Sequence, residues 1–297
     1  MKLFLTPSTN HLRRSLLSNG CDIGRYESYL FADRERGYRL REDIRRKTVA
    51  IFASILPDPE SLFQLLALNR LARENGASKT IGVIPYLGYA RQDRPCRPGE
   101  GNIGIMVVDL LEKMKPSRLL FVDVHSPRVR EALPSSAVEL SALPLFAAAF
   151  SNRPPDMIVS PDAGFLSKAK ELATMMPSHP DVAMIEKVRP HPNRAVARQL
   201  HGDVDGKSVL LADDMIDTGG TLVEAVNLVL GKGARSIRIA ATHGIFSGHA
   251  RERLSRLPVE EILITNTLPQ VRHPKIRVLD IVPAILHRVK HIPGTPI

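Results

Sequence analysis

Apolar runs alternate with helix-length amphipathic segments along almost the whole of this 297-residue chain. After a first strand within Met1 to Pro7, candidate strands cover Val49 to Leu56, Thr80 to Pro85, Arg118 to Val124 and Met157 to Ser160. Later ones cover Val182 to Glu186, Ser208 to Ala212, Ser236 to Thr242 and Glu261 to Thr265. Helical patterns between them span Glu60 to Asn75, Gly104 to Lys113, Gly164 to Met175 and Leu222 to Lys232. Such alternation predicts an α/β fold of mainly parallel sheet with helices on both faces. The two halves share a layout. The helix ending at Asn75 is followed by Gly76-Ala77-Ser78 and a strand, and the helix ending at Lys232 by Gly233-Ala234-Arg235 and a strand. Glycine suits the left-handed position after a helix end. The pattern predicts two similar domains, 1–145 and 146–297, each a mainly parallel sheet flanked by helices.

Composition narrows the partners. The formal charge of +10 arises from 41 basic and 31 acidic residues, and phosphorylated small substrates account for a positive bias of this kind. Basic clusters such as Arg41 to Lys47 are broken by acids, tryptophan is absent, and no nucleic-acid module or stacking platform accompanies them. Nucleic acid is therefore not expected as a partner. No apolar run approaches the roughly 20 residues of a membrane span, and Cys21 and Cys96 are too few for a disulfide framework. The expected location is cytoplasmic.

Four segments carry chemistry. In Leu210 to Leu222 an apolar strand leads into Asp213 and Asp214, then Asp217-Thr218-Gly219-Gly220-Thr221, then a helix. The glycines admit an anion close to the backbone, the threonines add hydroxyl donors, and the helix start favours negative charge. Paired carboxylates repel a bare phosphate but suit vicinal sugar hydroxyls or a hydrated Mg²⁺. Sugar and phosphate together point to a phosphoribosyl site. In Pro85 to Arg94, Arg91 offers a guanidinium to phosphate and Gln92 an amide to a base or ribose, unless the loop is plain surface. His125 follows a strand, a place where histidine is more often structural than a ligand. In Ile185 to Asn193, Lys187 and Arg189 alternate along a proline-bearing stretch, Pro190 and Pro192, that bars helix. An extended, mobile arm is expected there. Its two cations are either solvated or form a clamp over migrating phosphoryl charge.

The Asp213 to Thr221 segment resembles the ribose 5-phosphate loop of type I phosphoribosyltransferases. Its Asp-Asp-Met-Ile-Asp-Thr-Gly-Gly-Thr form is similar to that of the ribose-phosphate pyrophosphokinases (PRPP synthases). Tyr86-Leu87-Gly88-Tyr89-Ala90-Arg91-Gln92-Asp93 resembles that family's Tyr-x-Gly-Tyr-Ala-Arg-Gln-Asp, which phosphoribosyltransferases lack. Phe31-Ala32-Asp33-Arg34-Glu35 resembles Phe-x-Asp-Gly-Glu, Phe121 to Ser126 the Val-Asp-Leu-His-Ala strand end, and Ser160 to Phe165 the pyrophosphate loop Pro-Asp-x-Gly-Gly. Lys187 to Asn193 is similar to the catalytic flap Lys-Arg-Arg-Pro-Arg-Pro-Asn.

The resemblance implies transfer of the β,γ-pyrophosphoryl group of ATP to the C1 hydroxyl of ribose 5-phosphate, giving PRPP and AMP. It implies ATP binding by Arg91 and Gln92, with Phe31, Asp33 and Glu35 reaching the nucleotide of a neighbouring subunit. The chain would then be a homo-oligomer, at least a dimer. Ribose 5-phosphate would be held by Asp213, Asp214, Asp217, Thr218, Gly219, Gly220 and Thr221. Mg²⁺ would be held by His125 and Asp162, and Lys187 with Arg189 would be catalytic. Arg34, Phe165 and Val188 depart from the family pattern. Those departures define the alternative, a non-catalytic paralogue that binds nucleotide and regulates a true synthase.

Overall fold

The structure, a computed structural model, describes residues 1–188 and 197–291, without the side chains of residues 187, 188, 197 and 198. The chain forms two compact units. In the first, the elements in chain order are β1 (Lys2–Leu5), α1 (Arg13–Ser18), β2 (Tyr26–Leu30), β3 (Arg36–Leu40), β4 (Thr48–Phe52) and α2 (Pro59–Glu74). These are followed by β5 (Lys79–Ile84), α3 (Ile103–Lys113), β6 (Arg118–Val122), α4 (Pro127–Glu131) and β7 (Ala137–Leu140). The main sheet has the order β1-β4-β5-β6-β7 and every pairing in it is parallel. Strands β2 and β3 form a separate antiparallel pair. On α2, Leu65, Leu68 and Ala72 pack in one buried cluster with Val49 and Ile51 of β4. Asp58 starts that helix by accepting the Ser61 N–H at 2.9 Å, with Pro59 in the first turn.

The second unit holds α5 (Leu143–Ala149), β8 (Met157–Ser160), α6 (Leu166–Met175), β9 (Asp181–Val188), β10 (Ala197–His201) and β11 (Ser208–Ile216). It continues with α7 (Gly220–Gly231), β12 (Ser236–Gly244), α8 (Ala250–Ser255), β13 (Glu261–Thr265) and β14 (Ile276–Leu279). Its sheet runs β10-β9-β8-β11-β12-β13-β14 and is parallel except for the β9–β10 pair. The final helix, α9 (Val282–Lys290), belongs to the first unit, where Val282, Ile285, Leu286 and Val289 are buried. A single cut near residue 145 therefore misplaces this helix, because its apolar face is covered by the first unit.

The α/β architecture with two mainly parallel sheets is the one expected from the alternation, and the duplication runs deeper than the Gly-Ala signal. Strands β1, β4, β5, β6 and β7 follow one another across their sheet as β8, β11, β12, β13 and β14 do across theirs. The pair β2–β3 occupies the chain position that β9–β10 occupies in the second unit. Gly76 and Gly233 both take left-handed backbones after their helices, at φ 80° and 87°. Their carbonyls accept from Arg46 N–H at 2.8 Å and from Gly206 N–H at 2.9 Å. Lys47 and Lys207 carbonyls accept from Ser78 and Arg235 N–H at 2.9 and 2.8 Å. The turns Asp43-Ile44-Arg45-Arg46-Lys47 and Asp203-Val204-Asp205-Gly206-Lys207 are thus equivalent, with Ile44 and Val204 both buried.

One consequence is testable. Arg46 holds φ 62° where its counterpart Gly206 holds 65°. A left-handed backbone costs a non-glycine residue about 1–2 kcal/mol, partly offset by the chain entropy glycine loses on folding. Arg46→Gly is expected to raise stability by up to about 1 kcal/mol, read as a higher midpoint in thermal unfolding. A lower midpoint would show that the arginine contributes more than its backbone costs.

Several boundaries differ from expectation. Strand β11 continues through Ile216, because Asp213, Met215 and Ile216 keep their pairing with β12. Strand β10 is not among the expected strands; it pairs with β9 in the register Ala197↔Val188. Helix α7 begins at Gly220, ahead of the apolar Leu222.

Candidate functional site

In the second unit the sheet order reverses about β8, which lies between β9 on one side and β11 on the other. Such a switch point leaves a crevice beyond the strand ends, where open α/β sheets bind ligands. The segments Ser160–Phe165 and Asp213–Thr221 both lie there, at the C-terminal ends of β8 and β11.

Three carboxylates gather at this place. Asp214 is buried and its N–H donates to Asp213 Oδ1 at 2.8 Å. Burial first, then the charge of Asp214 and that of Asp162, hold the Asp213 carboxyl well above the ordinary carboxylate range. Asp162 is half-buried, and its Oδ1 accepts the Gly164 and Phe165 N–H groups at 2.9 and 3.3 Å. Ser160 Oγ donates to the Asp162 carbonyl at 2.6 Å. Phe165 has φ −94° and a buried ring, so it meets no left-handed strain where the family pattern has glycine.

A raised carboxyl pKa has a defined effect on stability. Below the ordinary carboxylate range both folded and unfolded chains hold the proton. As pH rises, the unfolded chain releases it first, so the unliganded fold loses stability until the folded Asp213 also ionises. Asp213→Asn keeps an oxygen for the Asp214 N–H and removes that loss. The variant is expected to melt higher than the unliganded parent at neutral pH and to vary less as pH rises above the ordinary carboxylate range. Scanning calorimetry over that rise in pH checks this. Parallel profiles for the two proteins would show that Asp213 is not the group responsible.

The turn after β11 has the form of a helix start that can take an anion. Gly219 is left-handed, at φ 75°, and stands as the cap of α7, where it contributes no side-chain cap to the first N–H groups. A Cβ added at Gly220 would meet only Thr218 Oγ1, at 3.8 Å, so the backbone there faces open space. Behind the turn, the same test at Gly219 meets Leu254 of α8 at 3.6 Å, and Arg253 Nη1 donates to the Thr218 carbonyl at 3.2 Å. Asp217 is half-buried and Thr218 exposed.

In the first unit, Arg91, Gln92 and His125 follow the C-terminal ends of neighbouring strands β5 and β6, and all three are exposed. Their loops are joined. Ser126 Oγ bonds Asp93 Oδ2 at 2.7 Å, Asn102 Nδ2 donates to the Asp93 carbonyl at 2.8 Å, and Gly104 N–H to the Gln92 carbonyl at 3.0 Å. Sequence reasoning missed Asp93, Ser126 and Arg253 as supports, although Asp93 directly follows Gln92.

Phe31, Asp33 and Glu35 lie in the turn between β2 and β3, in the separate two-stranded sheet. Asp33 Oδ1 accepts the Glu35 N–H at 3.0 Å, and Arg34 takes φ 72°, the left-handed backbone that glycine favours. Tyr29, Leu30 and Phe31 are exposed, the last by 52%. Lys187 falls near the end of β9 and Arg189 lies outside the described residues, as does the rest of the arm through residue 196.

Known protein families match both parts of this chain. Residues 1–114 match the N-terminal domain of ribose phosphate pyrophosphokinase, and residues 167–294 the phosphoribosyl synthetase-associated domain. The ribose-phosphate pyrophosphokinase of Aquifex aeolicus is 35% identical over 268 residues, covering 88% of this chain and 86% of its own. This chain belongs to the ribose-phosphate pyrophosphokinase family. The Deinococcus radiodurans pyrophosphokinase is 32% identical over 98% of this chain and 94% of its own length. Among solved structures, the phosphoribosylpyrophosphate synthetase of Mycobacterium smegmatis is similar at a TM-score of 0.86 and 29% identity, covering 97% of each chain. Coverage of nearly the whole chain by pyrophosphokinases includes the first unit, which carries the Arg91-Gln92 motif. No helix among the described residues is long and apolar enough to cross a membrane.

Proposed function

We propose that this pyrophosphokinase binds ribose 5-phosphate at the switch point of its second unit and ATP on the strand ends of its first. The enzyme forms PRPP and AMP from these substrates. The observation that carries the site assignment is the turn Asp217–Thr221, where open N–H groups at a helix start adjoin a carboxylate pair on one crevice. Thr218, Gly219, Gly220 and Thr221 hold the 5-phosphate, while Asp213, Asp214 and Asp217 face the ribose hydroxyls. Arg91 and Gln92 bind ATP. Phe31, Asp33 and Glu35 reach the nucleotide of a second subunit, a role that the exposed apolar side chains of Tyr29, Leu30 and Phe31 support. Sedimentation is expected to find at least a dimer, and a monomer at working concentration would remove that role.

A divalent cation, Mg²⁺, fits the donors at hand. The described residues contain no cluster of three or more His, Cys, Asp or Glu that would cage an ion. A Mg²⁺ held by one or two protein groups and the substrate phosphates needs no such cage. Asp162, its orientation fixed by two backbone N–H groups, offers a hard oxygen donor in the second unit, and His125 offers an imidazole in the first. When bound, the ion neutralises phosphate charge and orients the triphosphate. The chain's own part is chiefly positioning and electrostatic. The 5-phosphate grip fixes the sugar so that its C1 hydroxyl attacks the β-phosphorus, and Lys187 with Arg189 stabilises the charge that shifts toward the departing AMP.

Purified protein with ATP, Mg²⁺ and ribose 5-phosphate is expected to give AMP and PRPP in equal amounts. Binding of both substrates without product would overturn the reading.

A further inference from the structure

The short loop between β6 and α4 is held from both sides by one pair of charged side chains. Asp123 is buried with a left-handed backbone at φ 40°, strain that persists only where the surroundings over-determine it. Its N–H donates to the Leu140 carbonyl at 3.1 Å. The next residue, Val124, donates its N–H to Glu139 Oε1 at 2.8 Å and accepts from Arg130 Nη2 on its carbonyl at 2.7 Å. Arg130 Nε donates to Glu139 Oε2 at 2.6 Å and Arg130 Nη2 to Glu139 Oε1 at 3.2 Å, so the ring is closed. Arg130 lies on α4 and Glu139 on β7, and both are half-buried. Both polar groups of Val124 are thereby committed, one residue before His125.

We propose that Arg130 and Glu139 are positioning residues for His125. Their ring fixes the peptide groups on the N-terminal side of that histidine and holds the strained Asp123 backbone, which sets where the imidazole projects. The inference rests on His125 serving the nucleotide's divalent ion.

Polarity separates this role from that of a plain ion pair. Glu139 accepts from an N–H and Arg130 donates to a carbonyl, so each side chain suits only its own half of the Val124 backbone. The exchanged pair, Arg130→Glu with Glu139→Arg, restores opposite charges but presents a carboxylate to the carbonyl and a guanidinium to the N–H. A structural ion pair tolerates the exchange, whereas a positioning ring does not.

The experiment measures Mn²⁺ binding by electron paramagnetic resonance with a non-hydrolysable ATP analogue, together with both KM values and thermal unfolding. The proteins are the parent, Arg130→Met, Glu139→Gln, the exchanged double variant and His125→Ala. Arg130→Met is expected to weaken Mn²⁺ binding and raise the metal–ATP KM about tenfold or more, with the ribose 5-phosphate KM unchanged. Glu139→Gln keeps an oxygen for Val124 and the side-chain volume, so it folds and shows a smaller shift of the same kind. The exchanged variant stays impaired in metal and nucleotide binding. Normal binding in that variant would overturn the proposal, as would unchanged binding in Arg130→Met and Glu139→Gln while His125→Ala is weakened. Unchanged Mn²⁺ and nucleotide binding in His125→Ala would instead refute the reading of His125 beneath it, and the inference with it.

Discussion

Replacing Lys187 with alanine is expected to lower kcat by about a thousandfold or more while the KM for ribose 5-phosphate stays near that of the parent. The residue sits near the end of β9, adjacent in sequence to the proline-bearing arm and remote from the 5-phosphate turn along the chain. In pyrophosphoryl transfer little covalent work falls to the protein, so a cation placed where charge develops acts mainly on the transition state. Losing it reduces kcat and kcat/KM together, the signature of an interaction made only in the transition state. Steady-state kinetics with each substrate varied in turn provides the check. Near-normal turnover would remove the arm from the mechanism.

The second large effect is expected from Gly220→Asp, which should raise the KM for ribose 5-phosphate about a hundredfold or more, roughly 3 kcal/mol. The substitution has room, since an added Cβ meets only Thr218 Oγ1 at 3.8 Å. The first turn of α7 contains no acid, so a carboxylate there complements the helix dipole and keeps the fold stable. The same carboxylate occupies the open N–H groups and repels a dianionic phosphate. Unchanged thermal unfolding with lost sugar-phosphate affinity is the predicted pair of results, and an unaltered KM would place the 5-phosphate elsewhere. Calorimetric titration with an ATP analogue should show the nucleotide site of the first unit intact.

Much of the frame was legible because buried parallel strands are continuous apolar runs. Met157–Ser160 and Glu261–Thr265 lie at the bounds read for them. Strand β10, Ala197–His201, was not legible, since Ala-Arg-Gln-Leu-His is short and polar and pairs only as an antiparallel edge. The end of β11 was also missed. Asp213 and Asp214 look like a strand terminus by composition, but parallel pairing with β12 carries the backbone past them to Ile216. The equivalence of Asp43–Lys47 with Asp203–Lys207 shows in hydrogen bonds more clearly than in residue identity, because Arg46 performs the turn of Gly206. Arg34 likewise holds φ 72° in a position where the family pattern has glycine. Composition identifies glycine's usual places and cannot register another residue held in the same backbone.

The candidate site divides in the same way. Asp213 to Thr221 was readable because one short segment supplies all its groups. The supports were not, since Ser126 on Asp93 and Arg253 on the Thr218 carbonyl join residues distant in sequence. Only folding brings them together.

The most direct test of the central claim follows the β-phosphorus. The purified enzyme, with Mg²⁺ and ribose 5-phosphate, is given ATP labelled at the β-position in one reaction and at the α-position in another. The account predicts that all transferred β-label appears in PRPP and all α-label in AMP. β-Label recovered in ADP, or left wholly in ATP while both substrates bind, would contradict pyrophosphoryl transfer by this chain.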